Sequence, residues 1–113
     1  MDHDALNQLF RGTLHLLLLR CLAAGPLHGY AVAALLAQRT GNRLELEDGA
    51  LYQALHRMEE RGWLESSWGL AESGKRARFY RVTRDGRRRL QLETDSWRRY
   101  VAAVNQVLEP LPL

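Results

Sequence analysis

The hydrophobic period changes twice along the chain, and the order of those changes leaves few architectures open. Apolar residues recur at helical spacing as far as Arg61, alternate between Leu64 and Val82, and return to helical spacing from Leu90 onward. That order reads helix, helix, helix, β-hairpin, helix.

The first helix is expected over Ala5–Ala24. Leu6, Leu9, Phe10, Leu14, Leu17 and Cys21 form one stripe, and Leu16, Leu18, Leu19 and Leu22 add apolar surface on other sides. A helix apolar nearly all round must be covered from more than one direction, which in so short a chain points to a partner subunit. Gly25-Pro26 stops it. A second helix is expected over about Gly29–Arg39, closed by Thr40-Gly41-Asn42, and a third over about Asp48–Arg61. Asp48 is available as its N-cap and Gly62 as its stop. Leu51, Leu55 and Met58, at i, i+4 and i+7, define its buried face.

Leu64–Trp68 and Arg78–Val82 alternate, with the polar segment Gly69–Ala77 between them, so a hairpin with a loose basic tip is expected. Thr83 offers an N-cap for the last helix, with Asp85 favourably placed in its first turn. That helix should stop near Glu109, because Pro110 and Pro112 follow. Leu90, Thr94, Trp97, Val101, Val104 and Leu108 are spaced 4, 3, 4, 3 and 4, the seam of a short coiled coil. The expected fold is mainly α with a small β-hairpin, a winged helix-turn-helix plus a long C-terminal dimerisation helix. Residues 1–82 form the winged-helix DNA-binding part, 83–109 the dimerisation helix of the same compact unit, and 110–113 a tail.

A chain of 113 residues is enough for one domain. Its formal charge of +3 is unevenly placed. Between positions 75 and 89 stand eight basic residues and one acid, a net +7; the rest holds eight basic and twelve acidic side chains, a net −4. A mildly acidic body with one basic strip points to a polyanionic partner. All the basic residues but Lys75 are arginines, which suits bidentate phosphate and base-edge contacts and fits a GC-rich genome equally well. The single cysteine, Cys21, excludes an internal disulfide and suits a reducing cytoplasm. The longest apolar run, Leu16–Leu19, is too short to span a bilayer, and the acidic start Met1-Asp2-His3-Asp4 does not resemble a signal peptide.

Opposite the buried face of the third helix stand Gly49, Gln53, His56, Arg57 and Glu60, flanked by Ala50 and Tyr52. As a reading helix in a major groove, it would offer Gln53 to adenine and Arg57 to guanine. Tyr52 would reach a phosphate, and Gly49 would allow close backbone approach. A merely solvated polar face has the same pattern. Lys75, Arg76 and Arg78, at or next to the hairpin tip, suit backbone tracking or minor-groove insertion. Arg84, Arg87, Arg88 and Arg89 open the last helix, where cations oppose the dipole, so phosphates or the acids of a partner chain are their expected counter-ions. The seam residues Leu90, Trp97, Val101, Val104 and Leu108, with Tyr100 beside them and Leu6 and Phe10 on the first helix, are the candidate dimer residues. Trp97 either fills a dimer core or stacks on an effector. His3, His15, His28 and His56 have no metal-ligand spacing with each other or with Cys21, and neither a phosphate loop nor a nucleophile motif is present. The chain therefore reads as a non-enzyme that needs no cofactor.

Gly12-Thr13-Leu14, Gly25-Pro26-Leu27-His28-Gly29-Tyr30 and the run Gly49 to Glu59 resemble the PadR-like transcriptional regulators. Gly62-Trp63-Leu64, Tyr80-Arg81-Val82-Thr83 and Gly86-Arg87-Arg88 continue the resemblance in order, over roughly Gly12–Trp97. It implies a homodimeric winged-helix repressor of a bacterial or archaeal cytoplasm, with the stretch around Tyr52 as recognition helix and Lys75–Arg78 as wing tip. The short length is similar to the subfamily with a single C-terminal dimerisation helix. Some short members bind flat aromatic compounds between subunits near a tryptophan of the last helix, and Trp97 is similarly placed. Gln53 stands where the family often has Pro, and Ala31 where it often has an acidic or polar residue; Gln53 bears on base preference. The expected partners are a pseudo-palindromic double-stranded DNA operator, a second copy of the chain and a small aromatic effector, with no membrane. The alternative is a winged-helix protein-interaction module whose partner is acidic enough to meet the basic strip.

Overall fold

A computed structural model describes residues 3–111, with side-chain surroundings from Leu6 onward. Readings that rest on Met1, Asp2 and Pro112 lie outside the described residues. Helix α1 spans His3–Leu22, the short strand β1 Leu27–His28, α2 Gly29–Arg39 and α3 Asp48–Glu60. Strands β2 (Leu64–Leu70) and β3 (Arg76–Val82) form the hairpin, and α4 spans Arg84–Leu108. The predicted mainly helical winged helix is the observed architecture, with one addition: the sheet has three antiparallel strands in the order β1-β3-β2.

β1 pairs Leu27 with Tyr80 and His28 with Phe79. A two-residue strand carries no readable alternation and exists only because β3 offers it a partner. The pairing ties the start of α2 to the hairpin. His28 is the N-cap of α2: its Nδ1 accepts the Ala31 N–H at 3.2 Å. Its ring also meets Phe79 edge-on, with centroids 5.4 Å apart.

The core gathers Leu18, Leu19 and Leu22 of α1, Val32 and Leu36 of α2, Leu51, Leu55 and Met58 of α3, and Leu64, Tyr80 and Val82 of the sheet. The predicted α1 stripe needs correction. Leu18 and Leu19, assigned to other sides of the helix, are fully buried, whereas Leu9 of the stripe is 58% exposed. When nearly every position is leucine, periodicity no longer distinguishes the covered face. The helix also ends two residues earlier than expected, with Ala23 and Gly25 donating backward to Arg20 and Leu22.

Asp48 is not the N-cap of α3. Glu47 holds that position without a side-chain hydrogen bond, its carbonyl accepting the Leu51 N–H at 2.9 Å, so Asp48 lies in the first helical turn. There its carboxylate still favours the helix dipole. Gly62 follows α3 with a left-handed φ of 80°, as its place at the stop requires. Thr83 caps α4 as predicted: its Oγ1 accepts the Gly86 N–H at 3.0 Å and donates to the Gly62 carbonyl at 2.6 Å. One threonine thus closes the hairpin's base and starts the last helix.

The hairpin is longer and stiffer than its sequence suggests. Only Ala71–Lys75 lies between the strands, closed by Ala71 N–H donating to the Lys75 carbonyl at 2.9 Å. Arg76 and Ala77 therefore join Arg78 in β3 and do not belong to a loose tip.

Candidate nucleic-acid interface

The two faces of α3 are sharply divided. Leu51, Ala54, Leu55 and Met58 have no exposed surface, while Gly49, Ala50, Gln53, His56 and Arg57 are exposed. Tyr52 is exposed too, although its ring lies against Gly29 at the start of α2. His56 is not a free donor, because its Nε2 lies 3.0 Å from Glu60 Oε1.

The hairpin stands beside this helix as a wing. Between the wing and α2 lies a cleft of about 1110 Å³, lined by Tyr30, Trp68, Lys75, Arg76 and Arg78 among others, and Tyr52 of α3 also reaches it. β3 presents Arg76, Arg78 and Tyr80 opposite Leu70, Trp68 and Ser66 of β2, so all six side chains share one face of the wing. The Arg76 guanidinium sits 4.8 Å over the Trp68 ring.

The basic strip is divided by its own ion pairs. Arg78 pairs with Glu59, Arg81 with Glu65, Arg88 with Asp85 and Arg89 with Glu93. Lys75, Arg76, Arg84 and Arg87 have no carboxylate partner among the described residues. Of the three wing cations singled out in the sequence, Lys75 and Arg76 are free and Arg78 is engaged.

On the far side of the molecule, α1 and α4 flank a shallow groove of about 360 Å³ lined by Leu9, Leu16, Trp97 and Tyr100, with Gly12 and Glu93. Trp97 is 40% exposed and its ring centroid lies 6.3 Å from that of Tyr100. Val101 and Val104 are half-buried, and Val107 and Leu108 are exposed at the end of α4. Leu6 and Leu90 are half-buried, and Phe10 is covered by the chain's own core.

A third cluster joins α1, the base of the wing and α4. The His15 and Trp63 rings meet edge-on at 5.6 Å, and Trp63 lies between the guanidiniums of Arg61 and Arg89, at 5.2 and 4.9 Å. Burial, reinforced by Arg61 and Arg57, holds the His15 imidazole below its usual pKa.

Sequence reasoning missed the cleft residues Tyr30 and Trp68 and the partners Glu59 and Ser66. Trp68 had a signal, since alternation through Leu64 and Ser66 puts it on the face of the buried Leu64 while leaving it beyond the core. Glu59 and Ser66 had none, because their pairing with Arg78 spans three elements.

The match to known proteins agrees with this geometry. The family model of the "Transcriptional regulator PadR-like family" matches residues 18–92. The structure is similar to a PadR family transcriptional regulator from Eggerthella lenta, with a TM-score of 0.84 and 32% identity over 96% of this chain and 92% of that one. It also resembles a transcriptional regulator from Clostridium thermocellum, with a TM-score of 0.80 and 25% identity over 88% and 96% of the respective chains. In sequence it is 24% identical to a Lysinibacillus sphaericus protein, "Uncharacterized protein X", over 93% of this chain and 96% of the other. Among the described residues no helix is long and apolar enough to cross a membrane. With its winged helix intact and two thirds of its length matched, this chain belongs to the PadR-like family of transcriptional regulators and is not an enzyme.

Proposed function

We propose that the protein is a homodimeric, sequence-specific DNA-binding repressor. The observation that carries this reading is the exposed face of α3 beside a wing whose Lys75 and Arg76 lack internal counter-ions. Two such helices, one per subunit, meet half-sites about one helical turn apart on a pseudo-palindromic operator. Gln53 and Arg57 read base edges, Gly49 and Ala50 allow close approach, and Tyr52, Lys75 and Arg76 hold phosphates. His56 joins them once released from Glu60.

Dimerisation is supported by the exposed apolar residues at the end of α4, where Val107 and Leu108 are uncovered by the described residues. The groove at Trp97 and Tyr100 is the candidate seat of a planar hydrophobic effector. Sedimentation tests the dimer. Tryptophan fluorescence titrated with planar aromatic compounds, with Trp97→Ala as control, tests the effector.

The decisive experiment is a mobility-shift assay on the protein's own promoter and on random duplex, at low and moderate salt. Tighter binding to the promoter is expected; equal binding to both overturns the claim of specificity. Absence of any salt-dependent DNA affinity would favour a protein-interaction module instead.

A further inference from the structure

We infer that Glu59 and Ser66 clamp Arg78 into a brace that fixes the wing on the reading helix, which makes Arg78 a positioning residue and not a phosphate ligand. The inference goes beyond the DNA-binding reading but rests on it for the effect on affinity.

The brace closes on itself. Ser66 Oγ donates to Glu59 Oε2 at 2.5 Å and accepts from Arg78 Nε at 2.7 Å. Arg78 Nη2 reaches both Glu59 oxygens, at 3.2 and 3.3 Å. The serine hydroxyl spends its only proton on the carboxylate, which turns its lone pairs toward the guanidinium. One group comes from the last turn of α3, one from β2 and one from β3. Beyond this contact, the outer half of the wing faces α2 across an open cleft that Tyr52 of α3 also lines.

Two physical arguments assign the role. The planar guanidinium fork meets its partners in one orientation, so it restrains the angle of the wing as well as its distance. A lysine would keep the charge and lose that restraint. In addition, a phosphate could recruit Arg78 only by stripping it from two partners and leaving the Glu59 carboxylate unneutralised beside a polyanion. The side chains are 47% and 26% exposed, so the pair adds little to global stability; its effect is on geometry.

Amide hydrogen exchange without DNA is the first arm of the test. In Glu59→Gln and Ser66→Ala, exchange at residues 67–70 and 76–79 should rise about fivefold, with Leu55 and Met58 amides unchanged. The second arm measures binding to random duplex and to the promoter duplex across salt. Glu59→Gln and Arg78→Gln should each weaken promoter binding about three- to tenfold, the double variant no more than either, with the salt slope on random duplex unchanged. Arg78→Lys should behave like Arg78→Gln. The brace is overturned if Glu59→Gln tightens binding, if Arg78→Gln lowers the salt slope by about one, or if the wing amides do not respond. Equal binding of the unaltered protein to both duplexes would sink the operator reading alone; the exchange arm would still decide the brace.

Discussion

Tyr52 of α3 rests on Gly29, the first residue of α2, at a distance that only glycine permits. A Cβ at position 29 would lie 2.8 Å from the tyrosine Cε1 and 2.9 Å from its hydroxyl oxygen. The ring is the far end of a movable side chain, so Gly29→Ala should leave stability within about 1 kcal/mol while pushing Tyr52 out of place. Thermal unfolding should show a nearly unchanged midpoint. Mobility shifts should show weaker binding on every duplex, because the contact proposed for Tyr52 is to a phosphate and not to a base.

The corresponding change at Gly86 should be far more damaging. A Cβ there would overlap the Trp63 backbone carbonyl oxygen, and backbone does not swing aside. Gly86→Ala should cost about 3 kcal/mol or more by overpacking, read as a lowered midpoint in urea. An unchanged midpoint would mean that α4 does not start where Thr83 caps it.

His15 should make stability depend on pH in a known direction. Its pKa is lowered from 6.5, first by burial and then by Arg61 and Arg57. On acidification the unfolded chain therefore takes the proton before the folded one does. The contribution is full above about pH 6.5 and is lost as pH falls through the lower folded value. His15→Gln should flatten the stability profile between about pH 7.5 and 5.5, measured by urea unfolding at each pH.

Cys21 is buried, and burial also raises its thiol above the usual pKa, the nearby Arg39 and Arg20 offsetting only part of the rise. Both effects suppress the reactive thiolate. A colourless-to-coloured thiol reagent should label it only as fast as the protein unfolds, and fully in denaturant. Rapid labelling of the native protein would contradict the packing of α1.

Truncating the core should follow the burial pattern and not the sequence stripe. Leu18→Ala should destabilise by about 2–5 kcal/mol, whereas Leu9→Ala, at an exposed position, should change monomer stability by well under 1 kcal/mol. Comparing the two unfolding curves at concentrations low enough to dissociate the proposed dimer isolates the effect within one chain.

Much of the fold was legible because its signals are local. The extent of α2 follows from turn residues at both ends, and the Thr83 cap from a side chain three residues from its partner. The buried face of α3 follows from spacing alone, since a polar face opposite made the period unambiguous. The same reasoning failed on α1, where leucines on every side erased the contrast. It failed on β1, whose partner strand lies some fifty residues away, and it shortened the wing because Gly69 and Ala77 look like turn material until they pair with each other.

The candidate interface divides in the same way. Composition alone located a basic strip, but not which of its charges are free. That depends on Glu59 and Arg78, nineteen positions apart, meeting across the foot of the wing.

By itself, then, the sequence determined the order of the four helices and the hairpin, the Thr83 cap, the polar face of α3 and the resemblance that names the family. These rest on hydrogen bonds and side-chain periods that act within a few residues. Only the tertiary structure decided which leucines of α1 are core, that a third strand fastens α2 to the wing, and that Arg78 is bound while Lys75 and Arg76 are not. Those outcomes depend on which distant groups the folded backbone brings within hydrogen-bonding or van der Waals reach, and spacing along the chain carries no record of that.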